Sequence, residues 1–253
     1  MLSKEQAQNF AKESKIDLFS IYREYLQLLF LKYLYGLDES SQIYFKGGTA
    51  IKFLFGSFRF SEDLDFSSVL EDKAVELLVQ RAVKDLSREL PVFFKKEKTV
   101  ADSFSGRIFQ DISDFKFPLT IRLDISLREK PIYTETNYIE TNFPIAPFPL
   151  VRHLIDKEIL AEKIRAFLIR GKGRDVFDLW FLLSKKVEID WYLVNLKMSY
   201  YNRKTDLKKI IDLIGKMSDQ EIQKDLNKFL PLNQRPMIKK MKTLLLEKLN
   251  NQV

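Results

Sequence analysis

The chain has 253 residues, no cysteine and a single histidine, and its formal net charge is +7. The absence of cysteine excludes disulfide scaffolds, thiolate metal sites and cysteine nucleophiles, and one histidine argues against His-centred triads and multi-His metal sites. Apolar residues make up 45% of the chain, which predicts a folded core rather than disorder. Any catalysis is therefore expected to use carboxylates, lysines, hydroxyls or a hard metal ion.

Apolar spacing predicts the secondary structure in chain order. The first part is expected to hold helices at 6–33, 49–55 and 71–90, and strands at 43–45, 63–68, 92–94, 107–109, 119–127 and 132–133. The prolines of 144–149 predict a linker or crossover, and helices are expected at 156–184, 190–201, 206–215, 219–229 and 234–250. The order predicts an α+β fold, with one domain at 1–150 that includes the N-terminal helices and a helical bundle at 151–253.

Charge is distributed unequally between these two parts. Residues 1–150 contain 20 Lys+Arg and 22 Asp+Glu, whereas residues 151–253 contain 22 and 13. No acid interrupts the basic residues between Asp225 and Glu247, which are Lys228, Arg235, Lys239, Lys240 and Lys242. Such a surface attracts polyanions such as nucleic acid, and the alternative is an ordinary solvated lysine-rich surface.

No targeting or membrane segment is recognisable. The first fifteen residues contain no apolar signal core, and the longest apolar stretch, from Tyr25 to Leu37, is interrupted by Gln27 and Lys32. That stretch is too short to span a bilayer. We therefore expect a cytoplasmic protein without a membrane partner.

The first chemical motif is Gly47-Gly48-Thr49, between a predicted strand and a predicted helix. Glycines allow the backbone to approach a phosphate closely, and the N–H groups of the first helical turn favour an anion. Alone, this motif is a weak signal, and a plain strand–helix turn is its more common explanation.

The second motif is the pair Asp63 and Asp65 on a predicted strand. Residues two apart share a face, so the two carboxylates converge, and a cation such as Mg²⁺ would relieve their repulsion. The third element is Asp124, on the polar face of an alternating strand. Asp124 is either solvent-facing or the third carboxylate of the site, where it would bind the metal, act as a base, or do both.

Together these features resemble the nucleotidyltransferase superfamily of the DNA polymerase β type. That pattern has Gly-Gly or Gly-Ser at the head of a helix, then two aspartates on a strand and a third on a later strand. Fourteen residues separate Gly48 from Asp63, slightly more than usual, and Glu62 stands where the pattern has an apolar residue.

Two longer blocks resemble the AbiEii/AbiGii toxin family. The first runs from Phe45 to Phe66, and the second from Leu160 to Leu179 contains a helix lysine and an Arg-Asp-x-x-Asp segment. The resemblance covers roughly residues 43–184, and the last seventy residues match nothing that we can name.

The resemblance implies a role for each matching residue. Gly47, Gly48 and Thr49 would hold the nucleotide phosphates, and Lys163 would contact the triphosphate. Asp63, Asp65 and Asp124 would bind Mg²⁺ or Mn²⁺, with Asp124 as the third carboxylate. Asp175 or Asp178 would orient Lys163 or the nucleotide. For the arginines and aspartates of this region, a surface ion-pair network is the alternative.

The implied activity is metal-dependent transfer of a nucleoside monophosphate from an NTP to an acceptor hydroxyl. The resemblance suggests a toxin of a toxin–antitoxin or abortive-infection system, and the basic C-terminal part suggests an RNA acceptor, plausibly tRNA. A cognate antitoxin is implied as a protein partner. The alternatives are transfer to a protein or small-molecule hydroxyl, and a catalytically silent binding protein on the same scaffold. His153 is expected to be structural.

Overall fold

The computed structural model of the protein describes residues 1–97 and 102–251. The α-helices of these residues are α1 Lys4–Ser14, α2 Leu18–Tyr35, α3 Gly47–Phe55, α4 Asp72–Leu86, α5 Asp156–Arg170, α6 Gly173–Ser184, α7 Trp191–Ser199, α8 Leu207–Lys216, α9 Asp219–Leu226 and α10 Met241–Asn250. The strands are β1 Ile43–Lys46, β2 Asp63–Ser68, β3 Val92–Lys96, β4 Ser103–Gln110, β5 Leu119–Ser126, β6 Thr134–Tyr138 and β7 Leu150–Leu154. None of the helices in the described ranges is both long and apolar enough to cross a lipid bilayer.

The described strands form one mixed sheet in the order β3-β4-β5-β2-β1-β7-β6. The pairs β2/β5 and β1/β7 are parallel, and the other neighbours are antiparallel. The predicted α+β class, with a mixed sheet and a helical bundle, is therefore confirmed. The parallel β2/β5 pair brings together two strands that carry predicted site residues.

The chain divides into two compact units by its contacts. Unit 1 comprises Met1–Gly56 and Phe60–Leu154, and unit 2 comprises Ser57–Arg59 and Ile155–Val253. The sequence placed the boundary after residue 150, but residues 150–154 form β7 and pair with β1 and β6. The short segment Ser57–Arg59 groups with the helices of unit 2, although its sequence neighbours belong to unit 1. The N-terminal helices pack in unit 1.

The core of unit 1 is formed by the apolar face of the sheet. In β5 the residues Leu119, Ile121, Leu123 and Ile125 are almost completely buried, as the alternating pattern predicts. Helices α2 and α4 pack against each other, and they contact β5 and the β3/β4 pair respectively. Because the apolar side of β5 is buried in this core, the polar residues of the same strand point to the opposite face.

Unit 2 is all-helical apart from its short segment. Helix α6 contacts α5, α9 and α10, and α5 also contacts α7. The sequence predicted one helix over 156–184, but Gly171 adopts a left-handed backbone with φ of 59° and separates α5 from α6. A second difference lies at 234–250, where a 3₁₀ segment, Leu232–Lys240, containing Pro236 precedes α10.

In unit 1, one strand prediction was wrong and one strand was missed. Ile132 and Tyr133 lie outside β6, which begins at Thr134, and β7 was missed. Every residue of β6 is exposed, so the strand has no apolar alternation to reveal it. The prolines before β7 predicted a linker, and they do lie in an irregular stretch, residues 139–149, but a strand begins directly after the last of them.

Candidate active site

The strand register places three of the predicted site residues on one face of the sheet in unit 1. Asp65 pairs directly with Asp124 across the parallel β2/β5 ladder, and Asp63 lies two residues before Asp65. Lys46 of β1 is the partner of Asp65 on its other side, and Ser105 of β4 is the partner of Asp124. Directly opposed residues share a face, so a row of polar side chains crosses four strands.

Gly47 and Asp65 occupy adjoining space. Gly47 has φ of 80°, and a Cβ atom built on it would lie 2.6 Å from the Asp65 Cβ and overlap its carboxylate. Glycine is therefore required for its backbone conformation and also because any side chain would displace Asp65. The glycine motif and the aspartate motif of the sequence thus form one site.

The N-terminus of α3 opens at the same place. The helix begins at Gly47, and its N-cap, Lys46, makes no side-chain capping hydrogen bond. The Thr49 side chain is completely buried, and its hydroxyl donates to the backbone carbonyl of Asp63. Thr49 therefore fixes α3 to β2 with its side chain, so that it can contribute to a phosphate cradle only through its N–H group. The first-turn N–H groups suit a bound phosphate.

The electrostatics single out Asp124. Its burial and the negative charge of Asp65 raise the pKa of the Asp124 carboxyl to about 6. Arg122 opposes this shift, with its Nε 3.2 Å from the Asp124 Oδ2, and Ser105 opposes it by a hydrogen bond. A carboxyl with a pKa near neutrality suits the acceptance of a proton from an attacking hydroxyl.

The site offers three carboxylates and contains no nitrogen or sulfur donor, a composition that suits a hard cation. Within residues 1–97 and 102–251, no group of three or more Asp, Glu, His or Cys side chains is placed so that it could hold a metal ion by itself. Magnesium usually takes only one or two carboxylates and completes its coordination with substrate phosphates and water. The repulsion that raises the pKa of Asp124 is what a cation beside Asp65 would relieve, so the donor set fits magnesium bound together with a nucleotide.

The single histidine lies outside this row. His153 is completely buried on β7, and its ring nitrogens are 2.8 Å from the Leu154 carbonyl and 3.1 Å from the Asn137 amide. Burial lowers the pKa of its imidazole, which keeps it neutral. These contacts agree with the structural role predicted for His153.

Sequence reasoning missed the part played by Lys46. This lysine is only 7% exposed, and its Nζ is 3.7 Å from the buried Glu129 carboxylate. As the strand partner of Asp65, Lys46 adds a buried basic residue to the same row. The sequence feature that could have identified Lys46 is its position directly before the glycine motif, at the end of an apolar strand.

A second cluster, within unit 2, contains Lys163. Its Nζ is 2.7 Å from the Asp178 Oδ2, and Arg59 donates two hydrogen bonds to the same carboxylate at 2.8 and 2.9 Å. Burial alone would raise the pKa of Asp178, but the charges of Arg59 and Lys163 outweigh it and hold this pKa below its usual range. Arg59 is thus a buried partner of Asp178 that the sequence did not reveal.

Asp175 has a different partner. Arg170 donates two hydrogen bonds to it at 2.8 and 2.7 Å, and the Asp175 side chain is completely buried. Of the two aspartates considered for orienting Lys163, Asp178 therefore makes the contact. Both aspartates form ion pairs, as the alternative interpretation expects, but their carboxylates are buried rather than at the surface.

Helix α5 is held by a third buried pair that the sequence did not reveal. Lys197 of α7 is completely buried, with its Nζ 2.7 Å from Glu158 and 3.2 Å from Glu162. Both glutamates lie on α5, four residues apart, and Lys163 follows directly after the second. These ion pairs fix the rotation of the helix that carries Lys163.

A comparison with known proteins identifies the family. A family model described as "Nucleotidyl transferase AbiEii toxin, Type IV TA system" matches residues 30–239. The chain belongs to this family. The AbiEii match extends beyond the 43–184 range of the sequence resemblance, so α7, α8 and α9 also lie within the matched residues.

The chain is also similar to solved structures and to a curated protein. MenT4, a nucleotidyltransferase toxin from Mycobacterium tuberculosis H37Rv, is 17% identical with a TM-score of 0.64, over 98% of this chain and 90% of that one. JHP933 from Helicobacter pylori is 22% identical with a TM-score of 0.57, over 94% and 96%. An uncharacterized protein of Aquifex aeolicus (strain VF5) is 27% identical over 157 residues, 61% of this chain and 64% of its own length. The match thus spans less than two thirds of that curated relative.

Proposed function

We propose that this AbiEii-family chain transfers a nucleoside monophosphate from an NTP to a hydroxyl of an RNA acceptor, with Mg²⁺ or Mn²⁺ as cofactor. The observation that carries the proposal is the sheet face of unit 1 on which Asp63, Asp65 and Asp124 lie together, beside the uncapped helix N-terminus at Gly47. This arrangement combines an anion cradle with oxygen ligands for a cation, which is what nucleotidyl transfer requires.

Each side chain has a part in the proposed reaction. The N–H groups from Gly47 onward hold the triphosphate, and Asp63 and Asp65 hold the cation. When bound, Mg²⁺ supplies charge neutralisation and Lewis acidity at the phosphates. Asp124 accepts the proton of the attacking acceptor hydroxyl. The oxygen of that hydroxyl then forms the new bond to the α-phosphorus. Pyrophosphate leaves with the electron pair of the broken P–O bond.

Lys163 takes the role that the family resemblance implies, which is contact with the triphosphate and neutralisation of the leaving pyrophosphate. Asp178 is its positioning residue, since it holds the Lys163 ammonium at 2.7 Å. The buried Arg59 keeps the Asp178 carboxylate ionised and fixed in orientation. Asp175 is assigned to the architecture of unit 2 through Arg170.

The net charge of residues 151–253 supports RNA as the acceptor, because Lys+Arg exceed Asp+Glu there by 22 to 13. Lys239 and Lys240 are exposed, whereas Lys242 caps α8 by donating to the Gly215 and Met217 carbonyls at 2.6 and 3.0 Å. We further propose that the chain acts in the cytoplasm as the toxin of a toxin–antitoxin pair that can serve in abortive infection, with an antitoxin protein as its partner.

The test is a labelling assay with each NTP carrying a radioactive α-phosphate, Mg²⁺ and total cellular RNA. We expect one labelled RNA size class with the wild type, no label with Asp63→Asn/Asp65→Asn, and undiminished label with Asp212→Asn, a matched surface change on α8. Omission of the divalent ion with added chelator should also abolish labelling.

Label on protein instead of RNA would move the acceptor to a polypeptide hydroxyl. Unchanged labelling by the double variant would contradict the proposed metal site. If neither labelling nor Mg²⁺-dependent NTP binding occurs, the chain is a silent scaffold and the proposal fails.

A further inference from the structure

The sheet face that carries the carboxylates continues across β4 and β3 with cations. Asp63 is the strand partner of Arg122, Arg122 is the partner of Arg107, and Arg107 is the partner of Lys95. All these residues therefore lie in one row of unit 1, directly beside the row of Asp65 and Asp124. The proposed reaction gives no role to Arg122, Arg107 or Lys95.

The two arginines are held ready to bind an anion. Glu97 accepts a hydrogen bond from the Arg107 Nε at 2.6 Å, and its other oxygen is 3.8 Å from the Arg122 Nε. The arginine side chains are nevertheless 41% and 44% exposed. A guanidinium has five N–H donors, so these contacts leave donors for a further ligand. Arg122 is also paired with Asp124, its Nε 3.2 Å from the Asp124 Oδ2, so the two arginines share two carboxylates while parts of both side chains stay open to solvent.

Aromatic rings form the next row on this face. Phe109 lies two residues beyond Arg107 on β4 and pairs with Phe93 of β3. The two rings stack with centroids 4.9 Å apart and an interplanar angle of 8°, and Phe93 remains 53% exposed. Exposed aromatic rings beside basic side chains are the usual surface for single-stranded nucleic acid.

The order of the rows indicates the direction in which an extended acceptor would lie along the strands. Carboxylates, cations and rings follow one another at steps of two residues, about 7 Å along the strands. An extended nucleotide can span such a step. A polypeptide acceptor would bring no fixed anion to match the arginines, whereas a polynucleotide brings a phosphate at every nucleotide.

We propose that this row is the acceptor subsite for the 3′ end of a single-stranded polynucleotide. The attacking hydroxyl lies at Asp124, the last phosphodiester is bound by Arg122 and Arg107, and a base near the 3′ end stacks on Phe93 and Phe109. This inference rests on the proposed nucleotidyl transfer, and it adds the residues that select the acceptor.

The test uses a short oligoribonucleotide that copies the 3′ end of the RNA labelled by the wild type. A second version has a neutral methylphosphonate in place of the phosphodiester next to the terminal nucleoside. For the wild type, we expect the neutral linkage to raise the acceptor KM about tenfold, the effect of one charge-assisted hydrogen-bonded contact. Arg122→Gln and Arg107→Gln should raise the KM for the normal acceptor similarly and no longer distinguish the two versions, with an unchanged KM for the NTP.

Two further variants separate binding from folding. Arg122→Lys retains the charge and should restore part of the discrimination, whereas Arg88→Gln, a matched change in an exposed ion pair just after α4, should behave as the wild type. Phe93→Ala should raise the acceptor KM about fivefold while keeping the discrimination, and Phe93→Trp should restore the wild-type KM.

The outcomes separate this inference from the proposed function. If the wild type labels RNA but Arg107→Gln and Arg122→Gln still discriminate against the neutral linkage, the subsite is overturned and nucleotidyl transfer stands. An equal loss of kcat on both acceptors with no change in acceptor KM also overturns it. If the wild type labels protein only, or nothing, both proposals fail together.

Discussion

Gly47 and Gly56 have the same backbone conformation but different surroundings, which makes them a matched pair. Their φ angles are 80° and 75°, yet a Cβ at Gly47 would overlap Asp65, whereas a Cβ at Gly56 meets nothing within 4 Å. Gly47→Ala and Gly56→Ala should each cost about 1–2 kcal/mol of stability from backbone strain. Only Gly47→Ala should abolish labelling. Equal activities in the two variants would contradict the proximity of Gly47 to the carboxylates.

Asp178 and Asp175 should differ sharply in their contribution to stability. Asp178→Asn leaves Arg59 and Lys163, both buried, without their carboxylate, and we expect it to lower the free energy of unfolding by about 3–5 kcal/mol. Asp175→Asn affects only Arg170, which is 45% exposed and can be solvated, so about 1–3 kcal/mol is expected. Urea denaturation of both variants measures the difference, and a larger loss for Asp175→Asn would contradict the assigned pairing.

The raised pKa of Asp124 predicts a pH dependence in metal-free buffer. Its folded value of about 6 lies above the ordinary value of 3.8, so the unfolded chain binds fewer protons between these values. This group's contribution to stability is therefore lost as the pH rises from about 4 to about 6. Compared with the wild type, Asp124→Asn should gain relative stability across that window. Thermal melts with chelator present measure both stabilities, and a stability difference that does not change with pH would contradict the half-buried position of Asp124 beside Asp65.

At the level of single residues, the sequence predicted the carboxylates but not their neighbours. Asp63, Asp65 and Asp124 could be placed on one face because alternation along a strand is legible from sequence. The Arg59–Asp178 pair joins residues 119 positions apart, and nothing in one sequence shows that they meet. The same holds for Lys46 with Glu129 and for Lys197 with the glutamates of α5.

Among the elements, α5 offers a prediction about its buried ion pairs. Lys197→Met leaves Glu158 and Glu162 together on α5 without the lysine between them, and we expect a loss of about 3 kcal/mol or more. Replacement of all three by Lys197→Met, Glu158→Leu and Glu162→Gln should recover most of this stability. Urea denaturation tests both. A triple variant less stable than the single one would show that the charges themselves stabilise the helix pair.

Elements with a clear periodicity were predicted well, and those without it were not. The strand predicted at 63–68 coincides with β2, and the polar and apolar faces of β5 are as expected. The helix predicted at 156–184 failed at Gly171, because its apolar pattern continues through a residue that breaks the backbone. Strand β6 failed because all its side chains are exposed, so only its pairing with β7 defines it.

For the whole molecule, charge asymmetry predicts that salt weakens the acceptor interaction more than the NTP interaction. Between roughly 50 and 200 mM salt, the KM for RNA should rise more than tenfold if several phosphates are bound. Lys239→Gln/Lys240→Gln should reduce the salt slope, by about one for each phosphate that the variant no longer neutralises. Lys12→Gln/Lys73→Gln, the same change within residues 1–150, is the control. Equal slopes in both double variants would contradict the assignment of RNA binding to the basic helices.

The three residues Ser57–Arg59 have a consequence for how such proteins change over generations. They lie between α3 and β2 in the chain, yet Phe58 packs edge-on against Phe177 at 5.1 Å and Arg59 is paired with Asp178 in unit 2. Recombination that joined residues 1–154 to the helical unit of another protein would leave Phe58 and Arg59 without Phe177 and Asp178. Unit 1 and unit 2 must therefore be inherited together. Proteins with this arrangement would acquire new acceptors by substitutions within the two units rather than by exchange of one unit.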